Sequence, residues 1–112
     1  MAGNREQLTE ELFARLQAFG ESGDATVLLD AAVPALSRNL TETFPMGSRF
    51  AVTSDVARAI TALVAVHWTR SQLLPDGQDQ DDLRACLQWS RVLLAVRPDL
   101  VPEPVRARLG QP

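Results

Sequence analysis

The chain lacks lysine altogether and has one histidine and one cysteine among its 112 residues. The single cysteine, Cys86, cannot form a disulfide within the chain, so packing must hold the fold together, as expected in the reducing cytoplasm. Paired cysteines and a second histidine are the usual ligands of a structural zinc ion, and neither is available. The sequence therefore predicts no metal and no other cofactor.

Long hydrophobic runs are also missing. The apolar stretch around Ile60 to Trp68 is too short and too interrupted to span a bilayer. The N-terminal segment "MAGNREQLTEELFARL" has no apolar core of the kind found in signal peptides. We therefore expect a cytoplasmic protein that does not associate with membranes.

Catalytic motifs are equally absent from the sequence. It contains no glycine-rich phosphate loop and no nucleophile elbow. The acidic run "PDGQDQDD" fails as a calcium loop because, counted from Asp76, the sixth and twelfth positions hold Asp81 and Leu87 instead of glycine and a carboxylate. We expect no catalytic residues and a protein that is not an enzyme.

The charge is mildly acidic, with a net charge of −3, and all 11 basic residues are arginine. The C-terminal quarter is basic, because its arginines outnumber Asp99 and Glu103. These arginines are Arg84, Arg91, Arg97, Arg106 and Arg108. Without a basic domain or a recognisable reading motif, they favour a solvated polar edge over a nucleic-acid surface.

Helical periodicity dominates what is present. A first amphipathic helix is predicted over about 4–19, with Asn4 and Gln7 as a capping box and Gly20 as its end. A second is predicted to start at a cap on Asp24 and to bend at Pro34. The segment "TFPMG", with Pro45 and Gly47, then breaks the chain.

A third helix is predicted to begin at Ser48 or Ser54 and to end near Gln72. A fourth is predicted over Asp81–Val96. A short last helix is predicted over Pro102–Leu109 and ends at Gly110. No stretch alternates with the period of a strand. The sequence thus predicts one all-α domain over 1–112, made of two antiparallel hairpins at about 4–43 and 48–97 and a tail at 98–112. An open stack of hairpins and a closed four-helix bundle share this pattern.

The segments "LLDAAVPALSRNLTETFP" and "DLRACLQWSRVLLAVRP" follow a common pattern. Shifted by 53 positions, Ser37-Arg38 meets Ser90-Arg91, and Pro45 meets Pro98. Over about residues 8–98 the chain resembles the tetratricopeptide-like helical repeat proteins of high-GC bacteria. That resemblance implies a role in protein binding and no intrinsic catalysis.

The histidine lies in "LVAVHWTRS", where helical spacing places His67 close to Ile60 on the apolar face of the third helix. No Asp, Glu, Cys or second His lies three or four positions away, so a helical metal motif is absent. We expect His67 to be a hydrogen-bonded packing residue. A buried partner from another helix stays open, and a contact with Cys86 would be the one way to give the histidine reactive chemistry. We expect Cys86 instead to pack as a small residue between helices. An alternative is a pocket for a small apolar ligand lined by Val64, His67 and Trp68.

The fourth helix is predicted to be apolar on two sides. One side has Leu83, Leu87 and Leu94; the other has Ala85, Trp89, Val92 and Val96; Arg84, Gln88 and Arg91 lie between them. A helix apolar on two sides is buried on two sides.

The second side of that helix has two possible coverings. The C-terminal tail, through Leu100, Val101, Val105 and Leu109, is one covering, and a second protein chain is the other. We expect Trp89, Val92, Val96, Ala85 and Arg91 to form the interface of a homodimer or of a complex with another protein. The predicted function is a non-catalytic protein–protein interaction module, acting by self-association or by docking a partner segment.

Overall fold

The computed structural model describes residues 4–44 and 52–109. Within these ranges the chain is helical and contains no strand, which confirms the all-α prediction. The helices are α1 (Arg5–Ser22), α2 (Thr26–Leu29), α3 (Ala32–Thr41), α4 (Ser54–Leu73), α5 (Gln80–Val96) and α6 (Glu103–Leu109), with a 3₁₀ turn at Pro98–Leu100. The predicted features at Pro45, Gly47, Ser48 and Gly110 lie outside the described residues.

Helix α1 starts where predicted and ends later. Asn4 Oδ1 accepts the backbone N–H of Gln7 at 2.8 Å, and the Asn4 N–H donates to Gln7 Oε1 at 3.2 Å, which is the predicted capping box. The prediction that Gly20 ends the helix is wrong. Gly23 does so with φ 70°, and its N–H donates to the Phe19 carbonyl at 2.7 Å. A single glycine inside a helix is tolerated, so the first glycine need not be the cap.

The second predicted helix is divided instead of bent. At Asp30 the backbone is extended (φ −57°, ψ 138°), and α3 begins two residues later with Pro34 in its first turn. A proline there needs no N–H, whereas in a continuous helix its ring would clash with the carbonyl of Asp30. Asp30 Oδ1 accepts the N–H of Ala32 at 2.8 Å and so supports the restart. The predicted bend at Pro34 is therefore a break at Asp30.

Helix α4, with 20 residues, lies at the centre of the core and contacts α1, α2 and α5. Its buried positions are mostly alanine, valine and leucine. They are Val56, Ala57, Ala59, Ile60, Ala62, Leu63, Val64, Val66 and Ser71. No helix in residues 4–44 or 52–109 is both long and apolar enough to cross a membrane.

Charged side chains hold α1 against α4. Arg58 pairs with Glu10 at 2.6 Å, and its guanidinium lies 4.7 Å from the centre of the Phe13 ring. At the other end, Arg5 pairs with Asp55 and donates to the Thr43 carbonyl at 2.6 Å. Arg5 therefore joins the start of α1 to the end of α3 and the start of α4.

The second helices of the two hairpins bury corresponding positions. In α3 these are Val33, Ser37 and Leu40; in α5, Cys86, Ser90 and Leu93 lie 53 positions further along the chain. This spacing of 53 positions is the one that aligns Ser37-Arg38 with Ser90-Arg91 in the sequence. Beyond α5, the 3₁₀ turn and α6 fold back on that helix and bury Val101 and Val105.

The end of α1 gives a test with a matched pair of variants. We expect Gly23→Ala to lower the free energy of unfolding by about 1 kcal/mol because its φ is left-handed. Gly20→Ala should raise it by about 0.5 kcal/mol because alanine is the better helix former. An added Cβ meets nothing within 4 Å at either position, so backbone conformation alone separates the variants. Urea unfolding measures both, and shifts of the same sign would contradict the assigned end of α1.

Candidate functional site

The buried face of α5 consists mostly of small and polar residues. Asp82, Cys86, Ser90 and Leu93 recur at helical spacing, and α4 is the main neighbour of the helix. Small side chains let two helices approach closely. The centre of the buried face of α5 therefore lies between the two apolar sides that the sequence predicted.

Asp82 is the polar centre of this interface. Its Oδ1 lies 2.8 Å from Nδ1 of His67 and accepts Nε of Arg70 at 3.0 Å. The side chains of His67, Arg70 and Asp82 are only 15%, 12% and 11% exposed. Arg70 also donates to the carbonyl of Leu28 at 2.6 Å, so one carboxylate connects α5 to α4 and, through the guanidinium, to α2.

The electrostatics of Asp82 decide how the cluster is protonated. Burial by itself raises the pKa of this carboxyl, but hydrogen bonds from His67 and Arg70, with their charges, outweigh burial and leave the pKa lowered. Asp82 is therefore ionised at neutral pH. A carboxylate only accepts hydrogen bonds, so Nδ1 of His67 carries a proton and donates it.

His67 is hydrogen-bonded within the packed interface between helices, as predicted. Its partner is Asp82, and not the alternative partner Cys86. Cys86 is fully buried, and burial raises the pKa of its thiol to about 11 even though the Ser90 hydroxyl acts in the opposite direction. A thiol that stays protonated is a poor nucleophile and a poor metal ligand.

A histidine oriented by an aspartate supplies two of the three members of a hydrolytic triad. A triad requires a nucleophile within reach of the other ring nitrogen. Cys86 does not supply it, because its thiol is buried and protonated. Within the described residues no group of three or more His, Cys, Asp or Glu side chains could hold a metal ion. The hydrogen bonds of the cluster connect α5 to α4 and, through Arg70, to α2.

The predicted interface residues lie along one flank of the buried face of α5. Ala85, Trp89 and Val92 are half-buried, and Val96 is 47% exposed. The Trp89 ring meets the ring of Phe44 edge to face, with centres 5.2 Å apart. The tail packs on α5.

Arg91 and the three leucines lie along the other flank. Leu83, Leu87 and Leu94 are half-buried, and Arg91 lines an open cavity together with Leu83 and Leu87. Arg91 thus borders the leucine side of α5, away from Trp89. The two predicted apolar sides are the two edges of one broad face.

The residues predicted for a small-ligand pocket differ in accessibility. Val64 is fully buried, whereas His67 and Trp68 are half-buried. A ligand would reach Val64 only if neighbouring core side chains moved. The pocket stays a prediction.

Sequence reasoning missed Asp82 and Arg70 as partners of His67. Asp82 looked like one of several aspartates that favour a helix N-terminus. Its position along the helix indicates that it is buried, because Asp82 precedes Cys86 and Ser90 by one and two helical turns and so shares their buried face. Arg70 lies one turn beyond His67 and reaches the same oxygen.

Comparison with protein-family models, curated proteins and solved structures finds no match to this chain.

The cluster predicts a large and pH-dependent effect of Asp82→Asn. At neutral pH the variant should lose about 3 kcal/mol of unfolding free energy, since the buried guanidinium of Arg70 loses its carboxylate and His67 loses a charged hydrogen-bond acceptor. A lowered pKa in the folded state means that this contribution is present above the ordinary value of 3.8 and lost as the pH falls through the lower folded value. The difference between the two proteins should therefore narrow below pH 3.8.

Asp81→Asn is the matched control. It removes a charge from the same helical turn, but its side chain is 97% exposed and its ion pair with Arg84 is 3.8 Å long. We expect a loss of about 0.5 kcal/mol from the helix dipole. Chemical unfolding across pH measures both variants, and equal losses in the two would contradict a structural role for the Asp82 cluster.

Proposed function

We propose that this chain is a non-catalytic protein–protein interaction module that acts by self-association or by docking a partner segment. Its interface is the outer flank of α5 formed by Ala85, Trp89, Val92 and Val96, named here the tryptophan flank. The proposal includes no cofactor and no metal, and it places the protein in the cytoplasm, where a lone cysteine stays reduced.

The exposure of Val96 is the observation that carries the proposal. Val96 is the one large apolar side chain in the described residues that is strongly exposed, at 47%. It extends the row begun by Trp89 and Val92, which are half-buried. Apolar side chains left at the surface in a continuous row are typical of protein interaction sites.

Trp89 has the features of an anchor. Its ring is held edge to face against Phe44, so its position is fixed before any partner arrives. A large ring that is already ordered loses little conformational entropy on binding. Such residues commonly dominate the energetics of interfaces.

Further observations favour binding over catalysis. A hydrogen bond between His67 and Asp82 connects α4 to α5, which gives both residues a structural role. Cys86 is buried, and the pKa of its thiol is raised. The matched burial in α3 and α5 agrees with a stack of similar hairpins, and the resemblance to tetratricopeptide-like repeats implies protein binding.

Light scattering over a hundredfold range of concentration tests the proposal without an identified partner. We expect the wild-type chain to form a dimer and Val96→Asp to weaken that dimer by about tenfold or more, because the interface would bury an unpaired carboxylate. Trp89→Ser is less informative, because it also removes the contact with Phe44.

Ala95→Asp is the matched control, since Ala95 is exposed on the polar side of the same helical turn. It should leave the mass unchanged. A dimer that neither aspartate affects would show that the tryptophan flank is not the interface. A wild-type monomer at every concentration would exclude self-association and leave docking of a different protein.

A further inference from the structure

The other flank of α5 has a different composition and forms a shallow open cavity. Its volume is about 420 Å³. The cavity is lined by Gln80, Leu83, Arg84, Leu87, Gln88 and Arg91, all from α5. We name these residues the arginine flank.

The apolar part of the arginine flank is only partly used by the fold. Leu83 and Leu87 are both half-buried. Leu87 packs against the hydrophobic core. Among the described residues, Leu83 is half-buried but does not pack against that core. Leu83 therefore contributes little to the packing of the core, and its remaining surface is available to a partner.

The charged part of the arginine flank is poorly neutralised. Arg84 lies 3.8 Å from Asp81, whose side chain is 97% exposed, and Arg91 has no ion pair within the described part of the chain. By contrast, the pairs of Arg58 and Arg70 are 2.6 and 3.0 Å long. The arginine flank therefore presents two positive charges beside two leucines.

We propose that the arginine flank binds an acidic amphipathic helix of a partner protein. Arg84 and Arg91 are seven residues apart, which is about 10 Å along a helix. A partner helix with two carboxylates seven residues apart, and an apolar side chain between them, would pair with both guanidinium groups and cover Leu87. Arginine suits such pairing because its planar group binds a carboxylate through two hydrogen bonds.

A second copy of the same flank is a poor occupant. Two antiparallel copies of α5 centred near Leu87 would set Arg84 of one opposite Arg91 of the other, and like charges across an interface are repulsive. The inference rests on the proposed function as a protein-binding module, but it uses the opposite flank of α5 from Val96. The two can therefore fail separately.

Fluorescence anisotropy with a synthetic peptide tests the inference. The probe is a labelled helix-forming peptide with leucines at i and i+4 and two glutamates seven residues apart; its counterpart has lysines in place of the glutamates. We expect the full chain to bind the acidic peptide and not the basic one. Arg84→Glu/Arg91→Glu should weaken binding of the acidic peptide by about tenfold or more and gain binding of the basic peptide.

Two controls separate this surface from general charge and from the tryptophan flank. Arg38→Glu/Arg108→Glu makes the same change of charge at two exposed arginines on other helices and should leave peptide binding unchanged. Leu83→Gln should weaken binding without unfolding the chain, as monitored by circular dichroism. Val96→Asp should have no effect on the peptide.

Several results would overturn the inference. They are no binding of the acidic peptide by the wild-type chain, equal binding of both peptides, or equal losses in the two arginine double variants. Displacement of the peptide by a mixed-sequence single-stranded oligonucleotide, with no effect of Leu83→Gln, would assign the arginines to nucleic acid instead. Loss of binding in Val96→Asp alone would support the tryptophan flank and reject the arginine flank.

Discussion

The hydrogen bonds to one carboxylate, that of Asp82, decide how the helices of this protein fit together. Asp82 starts the buried face of α5 and accepts hydrogen bonds from two side chains of α4, at 2.8 and 3.0 Å. One of those side chains, Arg70, also reaches a carbonyl of α2 at 2.6 Å. The short helix α2 has four residues and cannot be stable by itself, so it depends on such contacts.

The rotation of α5 follows from that constraint. With Asp82, Cys86 and Ser90 turned towards α4, the larger apolar residues of α5 fall on the two edges of the interface. One edge ends in the exposed Val96, and the other carries leucines beside Arg84 and Arg91. Because Asp82, Cys86 and Ser90 occupy the face towards the core, both proposed binding surfaces lie at the edges of that face.

Local signals predicted much of the fold. The capping box at Asn4, the span of α5 and the all-helical class follow from residue type and spacing, which act within a few residues. The end of α1 and the break at Asp30 were missed because each depends on a choice between two acceptable local structures. The Asp82 cluster was missed because its partners lie 12 and 15 positions away, and a pattern along one helix does not show which side chain of the next helix it meets.

Hydrogen exchange of Asp82→Asn, followed by mass spectrometry, tests the central role of the carboxylate most directly. The account predicts faster exchange in α2 and in the first turns of α5, while α1 and the middle of α4 keep their protection. Those regions are the ones that Asp82 connects, directly or through Arg70. Faster exchange spread evenly over all the helices, or no change in α2, would contradict it.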